Sequence, residues 1–407
     1  MAHILIVGKG GFGDLFPLFS IGHGLRARGH DVTVAAESHH AAACAQIGAR
    51  HVVLDTPASP RADSLRGQLA ATLDPAALAA EVRALEPLAR GADLMLGNQL
   101  AYAGAIVRDL LGKPWAFCAA SPLALPSRRD PPLWPYLRHV QAAAAALGLP
   151  QSVFVGVARV GSRTLMRAQT RLRRELGVAS RAHPRFEALY SSQLNLLPVS
   201  PLLLPPQPDW PTPTRLTGFA WFESNFLGDQ RLADALAEYA AAGSAPVVLA
   251  PGGSSRADPL RFIQRGIAAC RALGRRAIVV AAPRLHAALP SGDDVRPTSY
   301  LPYAQLFGQA AVVLHSGGIG TLGWAMRAGV PSLLLPGDWD QYDNARLARR
   351  AGVAEVLGAH ANTRHDAAAL DALLGDAALH ARVRRLAPQV AAEDGAAVAC
   401  DAIEAII

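Results

Sequence analysis

Short apolar runs alternate with longer stretches rich in Ala, Leu and Arg along most of the chain. The short runs predict buried strands and the longer stretches predict helices. Continuous apolar strands separated by helices are typical of parallel sheets that helices cover on both faces. The pattern therefore predicts an α/β fold, with strands at residues 3–7, 31–35, 94–96, 115–119, 246–250, 277–281, 311–314 and 332–335.

A Pro-rich segment from 198 to 219, PVSPLLLPPQPDWPTPTRLTGF, interrupts this alternation. Because proline fixes φ and lacks an N–H donor, we interpret the segment as a semi-rigid linker rather than a helix or an interior strand. Each half of the chain restarts with a strand, a Gly-rich turn and a helix. We therefore expect two doubly wound, Rossmann-like domains that face each other across a cleft, with ligands outside the carboxyl ends of the strands. The expected boundaries are 1–204, a linker over 205–225, a second domain over 226–391, and a closing helix over 392–407.

Composition narrows the classes of function. With 407 residues, 51% hydrophobic and 17% charged, the chain can bury a sizeable core, which excludes disorder and coiled coils as the main theme. Its 39 Lys+Arg against 32 Asp+Glu give a net charge of +7, nearly all of it from Arg. This excess favours anionic partners such as nucleotides, sugar phosphates or an acidic membrane surface, without choosing among them. The arginines are not interleaved with aromatic residues, so we predict no nucleic-acid partner.

Other features bear on the compartment. The four cysteines are far apart in sequence and form no metal-binding pair, which favours free thiols in a reducing environment. The start of the chain, MAHILIVGKGG, has neither a basic region nor a small-residue cleavage site, so we expect a cytoplasmic protein. The stretches 139–158 and 297–326 lack Asp, Glu, Lys and Arg, but Gly, Pro or polar residues interrupt them, so neither predicts a membrane span. Whether the protein contacts the inner face of a membrane peripherally stays open.

The first Gly-rich turn, Gly8 to Gly13, has the form G-x-G-x-x-G, and Glu37 follows near the end of the second strand. This is the form of the dinucleotide fingerprint, so an NAD(P)-dependent oxidoreductase is one alternative. Pro17 indicates a wider turn than the compact dinucleotide-binding one. In that case Gly11 and Gly13 bring the backbone close to a phosphate or another substrate group. Asp14, just after the turn, is either a helix N-cap or a general base.

The second Gly-rich turn carries more chemistry. A buried strand ends at His315 and is followed by Gly317, Gly318, Gly320 and Thr321, at the start of a helix predicted over 322–328. Free amides and the positive end of the helix dipole make such a start an anion site.

After the next strand come Asp338, Asp340 and Gln341. A carboxylate beside an amide suits sugar hydroxyls, which both donate and accept hydrogen bonds. Asp338-x-Asp340 is also compatible with a divalent metal. The helix start makes a metal less necessary, and we expect neither a metal nor a cofactor.

These motifs together resemble a known family. The run from Tyr300 to Asn344, with Y-L-P, H-S-G-G-I-G-T, A-G-V-P and D-Q-x-x-N-A, is similar to the nucleotide-sugar signature of family 1 glycosyltransferases with the GT-B fold. The G-D-L-F-P motif at 13–17 resembles the branch with Asp in place of the usual catalytic His, as in glycopeptide and sterol glycosyltransferases. Ser121-Pro122 and the D-W-P…T-G-F motif at 209–219 are similar to rhamnosyltransferases of rhamnolipid synthesis.

The resemblance implies a role for each matching residue. The first domain would bind the acceptor and the second the donor, and the closing helix would return to the first domain. In the second domain, Tyr300 would stack on the base and the backbone of Leu301 would contact the pyrimidine edge. The remaining donor-binding positions would be Gly253 and Ser254 for the nucleotide phosphate, His315, Gly317, Gly318, Gly320 and Thr321 for the diphosphate, and Asp340 and Gln341 for the sugar hydroxyls.

Two departures bear on the donor. Gly323 stands where plant relatives have a Glu on the ribose, and Tyr303 stands where they have Gln. Without the acidic ribose contact, dTDP-sugars fit at least as well as UDP-sugars. The resemblance implies an inverting, metal-independent hexosyltransferase for rhamnose or glucose, with Asp14 as general base and a nucleotide-sugar as co-substrate. A non-catalytic nucleotide-sugar-binding subunit is the other alternative.

The acceptor is expected to be a small apolar alcohol, either a lipid or a secondary metabolite. Apolar residues of the first domain form a candidate pocket, although ordinary core packing explains them equally well. The sequence leaves open whether the protein is a monomer or a homodimer. The candidate pocket residues are Ser121, Leu125, Trp134 and Phe154.

Overall fold

Two parallel β-sheets organise the chain, one in each of two compact units. A computed structural model describes residues 1–54, 74–178, 182–225, 230–252, 258–358 and 362–407. Unit 1 comprises Met1–Val199, Pro206–Phe222 and Asp394–Ile407. Unit 2 comprises Ser200–Pro205 and Glu223–Glu393. The predicted α/β class, with two sheets of parallel strands, is confirmed.

Unit 1 contains a seven-stranded sheet in the order β3-β2-β1-β4-β5-β6-β7, parallel throughout. Its central strands are buried except for His3 at the start of β1, as their largely apolar sequences predict. The strands are β1 (His3–Val7), β2 (Asp31–Ala36), β3 (Arg50–Val53), β4 (Leu94–Asn98), β5 (Trp115–Cys118), β6 (Leu194–Leu197) and β7 (Thr214–Leu216).

Helices surround this sheet, together with two 3₁₀ turns (Ser38–His40 and Pro122–Ala124) and a π-helical turn (Pro184–Ala188). The four cysteines of the chain are buried free thiols. The helices are α1 (Phe12–Ala27), α2 (Ala41–Gln46), α3 (Pro75–Arg90), α4 (Tyr102–Leu111), α5 (Arg138–Ala146), α6 (Val153–Leu165) and α7 (Arg167–Glu175).

Unit 2 contains a six-stranded parallel sheet in the order β10-β9-β8-β11-β12-β13. Its strands are β8 (Val247–Ala250), β9 (Ala277–Val280), β10 (Val295–Thr298), β11 (Val312–His315), β12 (Ser332–Leu334) and β13 (Ala354–Val356). Its helices are α8 (Gln230–Ala241), α9 (Pro259–Ala272), α10 (Pro283–His286), α11 (Tyr303–Phe307), α12 (Ile319–Arg327), α13 (Gln341–Ala351), α14 (Thr363–Gly375) and α15 (Ala377–Ala391).

The Pro-rich segment is more structured than a linker. Its residues Thr214–Leu216 form β7, which pairs with β6 at the edge of the unit 1 sheet. An edge strand needs donors on one side only, so nearby prolines are tolerated there. Most of the segment thus belongs to unit 1 and completes its sheet.

The last helix, α16 (Gly395–Glu404), packs against α1 within unit 1. Arg28 at the end of α1 forms ion pairs with Asp401 and Glu404, at 2.6 Å in each case. The Cys400 thiol would lie only 2.8 Å from a Cβ at Gly24, so the two helices approach closely. Across the described ranges, no helix combines the length and the apolar character needed to span a bilayer.

Both sheets reverse their strand order at one point, between β1 and β4 in unit 1 and between β8 and β11 in unit 2. Ligands of doubly wound sheets bind beyond the carboxyl ends of the strands at such a switch point. The first Gly-rich turn follows β1 and the second follows β11. Each turn therefore lies at the switch point of its own sheet.

Candidate functional site

The first turn places a carboxylate at the start of α1. Gly11 is the N-cap, so Asp14 is the third residue of the helix and is not the N-cap considered from the sequence. Its Oδ2 accepts a hydrogen bond from the Gly11 N–H at 3.0 Å. Gly10 has φ of +113°, and a Cβ there would lie 2.6 Å from Asp14 Oδ2. Only glycine allows the turn to close this tightly over the carboxylate.

Pro17 lies inside α1, which begins at Phe12. The expectation that Pro17 makes this turn wider is therefore wrong, because the helix has already begun at Phe12. Gly13 and Pro17 are four residues apart, so proline's missing N–H removes only the hydrogen bond that would reach the Gly13 carbonyl. Gly13 is exposed, and this carbonyl lies in the first turn of the helix.

A second side chain fixes the other oxygen of Asp14. Gln99, which follows β4, donates from Nε2 to Asp14 Oδ1 at 2.9 Å. Gln99 Oε1 in turn accepts from the Ala120 N–H at 2.9 Å. Because both ends of the amide are engaged, its nitrogen must face the carboxylate. Asp14 is half-buried, and both of its oxygens accept hydrogen bonds from donors that the fold holds in place.

Two buried side chains hold the backbone of the same turn. Asn98 Nδ2 donates to the Lys9 carbonyl at 2.8 Å, and His40 Nε2 lies 3.0 Å from the Gly10 carbonyl. Both side chains are fully buried. Burial lowers the pKa of His40 to about 4, so the ring is neutral near pH 7 and donates this bond from Nε2–H.

Gln99, Asn98 and His40 also contribute to this site, although the sequence did not predict them. The available signal was the polar pair Asn98-Gln99 at the end of a buried strand, at the edge where ligands of such sheets bind. His40 carried no comparable signal, because its role depends on the packing of its ring against Phe12, at 5.0 Å between ring centroids.

The second turn brings a buried imidazole to the start of α12. His315, at the end of β11, is 1% exposed, and its Nδ1 accepts from the Gly317 N–H at 3.1 Å. The ring proton is therefore on Nε2, which is buried and has no hydrogen-bond partner among the described residues. Burial lowers the pKa of His315 to about 3, so the ring is neutral near pH 7.

The helix start beside His315 is also rich in donors. Gly318 is the N-cap of α12 and has no side chain to cap the amides that follow. These belong to Ile319, Gly320 and Thr321, in the first turn of the helix. Helix amides and a buried imidazole N–H without a partner are the donors that bind a phosphate oxygen. His315, Gly318 and Gly320 thus lie together, as the sequence predicts.

The loop after β12 packs onto this turn. Asn344 Nδ2 donates to the Gly317 carbonyl at 3.0 Å and to Asp340 Oδ2 at 2.8 Å. Gly317 has φ of +92°, and a Cβ there would lie 3.1 Å from the Gln341 carbonyl. The second turn and the start of α13 are therefore adjacent, which brings the predicted diphosphate and sugar residues together.

The side chain of Gln341 also serves the loop itself. Its Oε1 accepts from the N–H groups of Gly337 and Asp338 at 2.9 and 3.1 Å. Its amide nitrogen is thus the group that remains for a ligand. Trp339, in the same loop, has φ of +47°, a strained conformation for a non-glycine residue that the sequence did not indicate.

Aromatic rings form a ladder that runs along α11. Tyr300 lies 5.4 Å from Tyr303 between ring centroids, and Tyr303 stacks on Phe307 at 4.3 Å. The Thr321 side chain lies near the Tyr303 hydroxyl, and burial raises the pKa of Tyr303. The side chain of Leu301 is in the core, which leaves its backbone for a ligand. Tyr303 thus connects the predicted base-stacking ring to the predicted diphosphate turn.

The remaining predicted residues are placed as follows. Trp134 and Phe154 belong to a core cluster of unit 1 with Leu123, Ala144 and Phe186. This is the core packing that the sequence offers as the alternative to an acceptor pocket at these positions. Leu125 and Ser121 are also buried. Gly253 and Ser254 lie outside the described residues.

Comparison with known proteins identifies the family. The model for the C-terminal domain of erythromycin biosynthesis protein CIII-like proteins matches residues 276–405. O-mycaminosyltylonolide 6-deoxyallosyltransferase of Streptomyces fradiae is 30% identical over 98% of this chain and 96% of its own length. Vancomycin aglycone glucosyltransferase of Amycolatopsis orientalis is 28% identical over 97% of this chain and 95% of its own length.

The fold agrees with this match. A solved structure of spinosyn rhamnosyltransferase complexed with thymidine diphosphate superimposes with a TM-score of 0.69, at 20% identity, over 99% of this chain and 100% of that one. The glycotransferase of kitacinnamycin gives a TM-score of 0.73 at 21% identity, over 100% of this chain and 99% of that one. The oxidoreductase alternative is not favoured by these matches. The resemblance in the motifs is thus confirmed, and the chain belongs to the nucleotide-sugar-dependent glycosyltransferases of the GT-B fold.

Proposed function

We propose that this glycosyltransferase transfers a hexose, of rhamnose or glucose type, from a dTDP-sugar to a hydroxyl of an apolar natural product, with inversion and with Asp14 as general base. The observation that carries the proposal is the Asp14 carboxylate, held on both oxygens at the switch point of the first sheet. Relatives whose names include a macrolide intermediate, a glycopeptide aglycone and dTDP-epi-vancosamine support the substrate class.

The base mechanism follows from the contacts of Asp14. Each carboxylate oxygen accepts a hydrogen bond from the protein, and a carboxylate offers about four lone-pair sites in all, so it can also accept from a ligand hydroxyl. As the acceptor oxygen attacks the anomeric carbon, its proton moves to Asp14 and the bond between that carbon and the diphosphate oxygen breaks. A single displacement of this kind inverts the anomeric centre, and the positioned base contributes about 10²- to 10⁴-fold to the rate.

Unit 2 supplies the donors for the leaving group. The departing diphosphate takes the electron pair of the broken bond and becomes more negative. In this proposal the amides at the start of α12 and the Nε2–H of His315 bind this charge. These donors support a reaction in which charge on the diphosphate is stabilised without a metal.

The nucleotide preference rests on the base and ribose positions. Tyr300 offers a half-buried aromatic face beside Tyr303, suited to stacking on a pyrimidine. Gly323 offers no carboxylate for a ribose 2′-hydroxyl, the group that distinguishes UDP from dTDP. Both features support dTDP over UDP.

The test compares turnover and nucleotide binding in Asp14→Asn and in a matched control, Asp31→Asn, which changes an exposed aspartate of the same unit. With dTDP-rhamnose and a macrolide aglycone, Asp14→Asn should lower kcat by about 10²-fold or more, while the dTDP Kd stays unchanged. Asp31→Asn should match the wild type in both, and EDTA should have no effect. Unchanged kcat in Asp14→Asn would disprove the base assignment. A hydroxy-fatty acid as the preferred acceptor would disprove the substrate class, and wild-type inactivity without a second protein would favour the binding-subunit alternative.

A further inference from the structure

Exposed apolar side chains concentrate on one part of unit 1. Of the twelve large hydrophobic side chains exposed in the described residues, eight lie between residues 136 and 165. Single exposed apolar residues are normal on protein surfaces, but a contiguous group marks an interaction site. The eight are Tyr136, Val140, Leu147, Leu149, Val153, Val157, Val160 and Leu165.

Helix α6 is apolar on two different faces. Phe154 and Ala158 face inward, onto the cluster that contains Trp134. Val153, Val157 and Val160 follow one another at spacings of four and three residues, so they share a face of the helix. Val157 and Val160 are 49% and 65% exposed. Core packing therefore explains the inward face of α6 and leaves the outward face unexplained.

The same region carries all of the chain's excess positive charge. Residues 131–174 contain seven arginines and no Asp or Glu, so the segment has a formal charge of +7. Because the whole chain also has a net charge of +7, the remaining residues sum to zero.

Several of these arginines are available for an external partner. Arg167, Arg171 and Arg174 are exposed at helical spacing on α7, and Arg163 is exposed on α6. Arg171 pairs with Glu175, whereas Arg163, Arg167 and Arg174 form no ion pair with any described residue. The exposed surface of α5, α6 and α7, called here the basic apolar surface, thus combines Val and Leu with unpaired cations.

We propose that the basic apolar surface binds an anionic lipid bilayer, with the Val and Leu side chains at the headgroup boundary and the arginines on the lipid phosphates. Apolar area and basic charge are the two contributions that hold amphipathic helices at such an interface. This binding goes beyond the proposed glycosyl transfer and does not depend on it.

The charge pattern argues against a second copy of this chain, or another protein, as the partner of this surface. In a two-fold contact between copies of this chain, arginines would oppose arginines, which is repulsive. Protein interface cores are enriched in aromatic residues, whereas seven of the eight exposed side chains here are Val or Leu. A lipid surface satisfies both features because it supplies negative charge and accepts aliphatic side chains without a matching shape.

The experiment measures co-sedimentation of the full chain with vesicles of phosphatidylcholine alone, or of phosphatidylcholine and phosphatidylglycerol in equal parts. Val157→Gln with Val160→Gln removes apolar area at constant charge, and Arg163→Glu with Arg167→Glu reverses two charges. Arg284→Glu with Arg385→Glu makes the same charge change at exposed positions of unit 2 and serves as control. Each test pair should weaken binding to the anionic vesicles by about tenfold or more, and the control should not.

Wild-type binding should require phosphatidylglycerol and weaken as salt is raised. Equal binding to both vesicle types, or test pairs that bind like the wild type, would overturn the proposal. Light scattering without lipid tests whether a second copy of this chain occupies the surface instead. A wild-type dimer that dissociates when Val157→Gln is combined with Val160→Gln would assign the surface to that second copy. The salt series on the wild type keeps the test decisive if a variant fails to fold.

Discussion

Gln99 is locked between a backbone amide and the Asp14 carboxylate. Its Oε1 accepts from the Ala120 N–H and its Nε2 donates to Asp14 Oδ1, each at 2.9 Å. Turning the amide over would place oxygen against oxygen at Asp14 and nitrogen against nitrogen at Ala120. Gln99 therefore acts as a positioning residue that presents a donor to the proposed base.

We predict that Gln99→Glu raises the pKa of Asp14. The new carboxylate keeps the bond from the Ala120 N–H but places a like charge beside Asp14, and such pairs share a proton. The acid limb of kcat/KM against pH should move to higher pH, and the rate near pH 7 should fall by about tenfold or more. Steady-state rates across pH, with dTDP binding followed in parallel, provide the measurement.

A matched control separates positioning from folding. Gln193 also accepts a backbone hydrogen bond, from the Trp115 N–H at 3.0 Å. Gln193→Glu should leave the pH profile unchanged. If Gln99→Glu lowers Tm but leaves the acid limb in place, its role is structural only.

His40 should make unit 1 sensitive to acid. The unfolded chain binds a proton at His40 near pH 6.5, whereas the folded protein does so only near pH 4. Between these values the unfolded state binds more protons, so this contribution to stability falls as pH falls. In His40→Gln, which can still donate to the Gly10 carbonyl, the loss of Tm between pH 6.5 and about pH 5 should be smaller than in the wild type. An identical loss in both proteins would contradict this assignment.

His315 should contribute to donor binding through its neutral Nε2–H. A hydrogen bond to a charged group contributes about 1.5–3 kcal/mol, so His315→Ala should weaken dTDP binding by roughly 10- to 100-fold. His315→Gln can accept from the Gly317 N–H and still donate, and should recover part of the loss. Calorimetric titration with dTDP measures both. His286→Ala, which removes a half-buried imidazole at 3.0 Å from the Ala281 carbonyl in the same unit, should bind dTDP normally.

Most interior strands were predictable because burial on both faces requires continuous apolar sequence. β1 matches its prediction at both ends, and the other predicted strands match to within one or two residues. The strands that were not predicted are the interior strand β6, where Asn195 interrupts the apolar run, and the four edge strands β3, β7, β10 and β13. Each edge strand is partly exposed, as with Arg50 in β3 and Arg296 in β10, so the apolar signal is absent.

Which site residues could be predicted likewise depends on whether they lie in a local motif. Asp14 and His315 could be identified because each lies in a local motif, next to a Gly-rich turn after a strand. Gln99 reaches Asp14 from 85 positions away, through the pairing of β1 with β4, and no local pattern contains that relationship. The strain at Trp339 is likewise set by the packing of its loop.

Gly317 should be required for the stability of unit 2. A side chain there would be held at φ of +92° with its Cβ 3.1 Å from the Gln341 carbonyl. Strain of this kind costs about 1–3 kcal/mol, so Gly317→Ala should lower the free energy of unfolding by that amount. Chemical denaturation followed by circular dichroism measures the change. Stability equal to the wild type would show that the turn can adopt another conformation.

Gly320, three residues later, should behave in the opposite way. It lies in the first turn of α12 with φ outside the left-handed region, and a Cβ there meets no protein atom within 4 Å. Gly320→Ala should therefore keep Tm or raise it slightly, since alanine favours the helix by about 0.5–1 kcal/mol over glycine. The same methyl group would project into the space from which a diphosphate approaches the helix amides, so dTDP binding should weaken by about tenfold or more. Unaltered Tm together with unaltered dTDP affinity would place the diphosphate away from the start of α12.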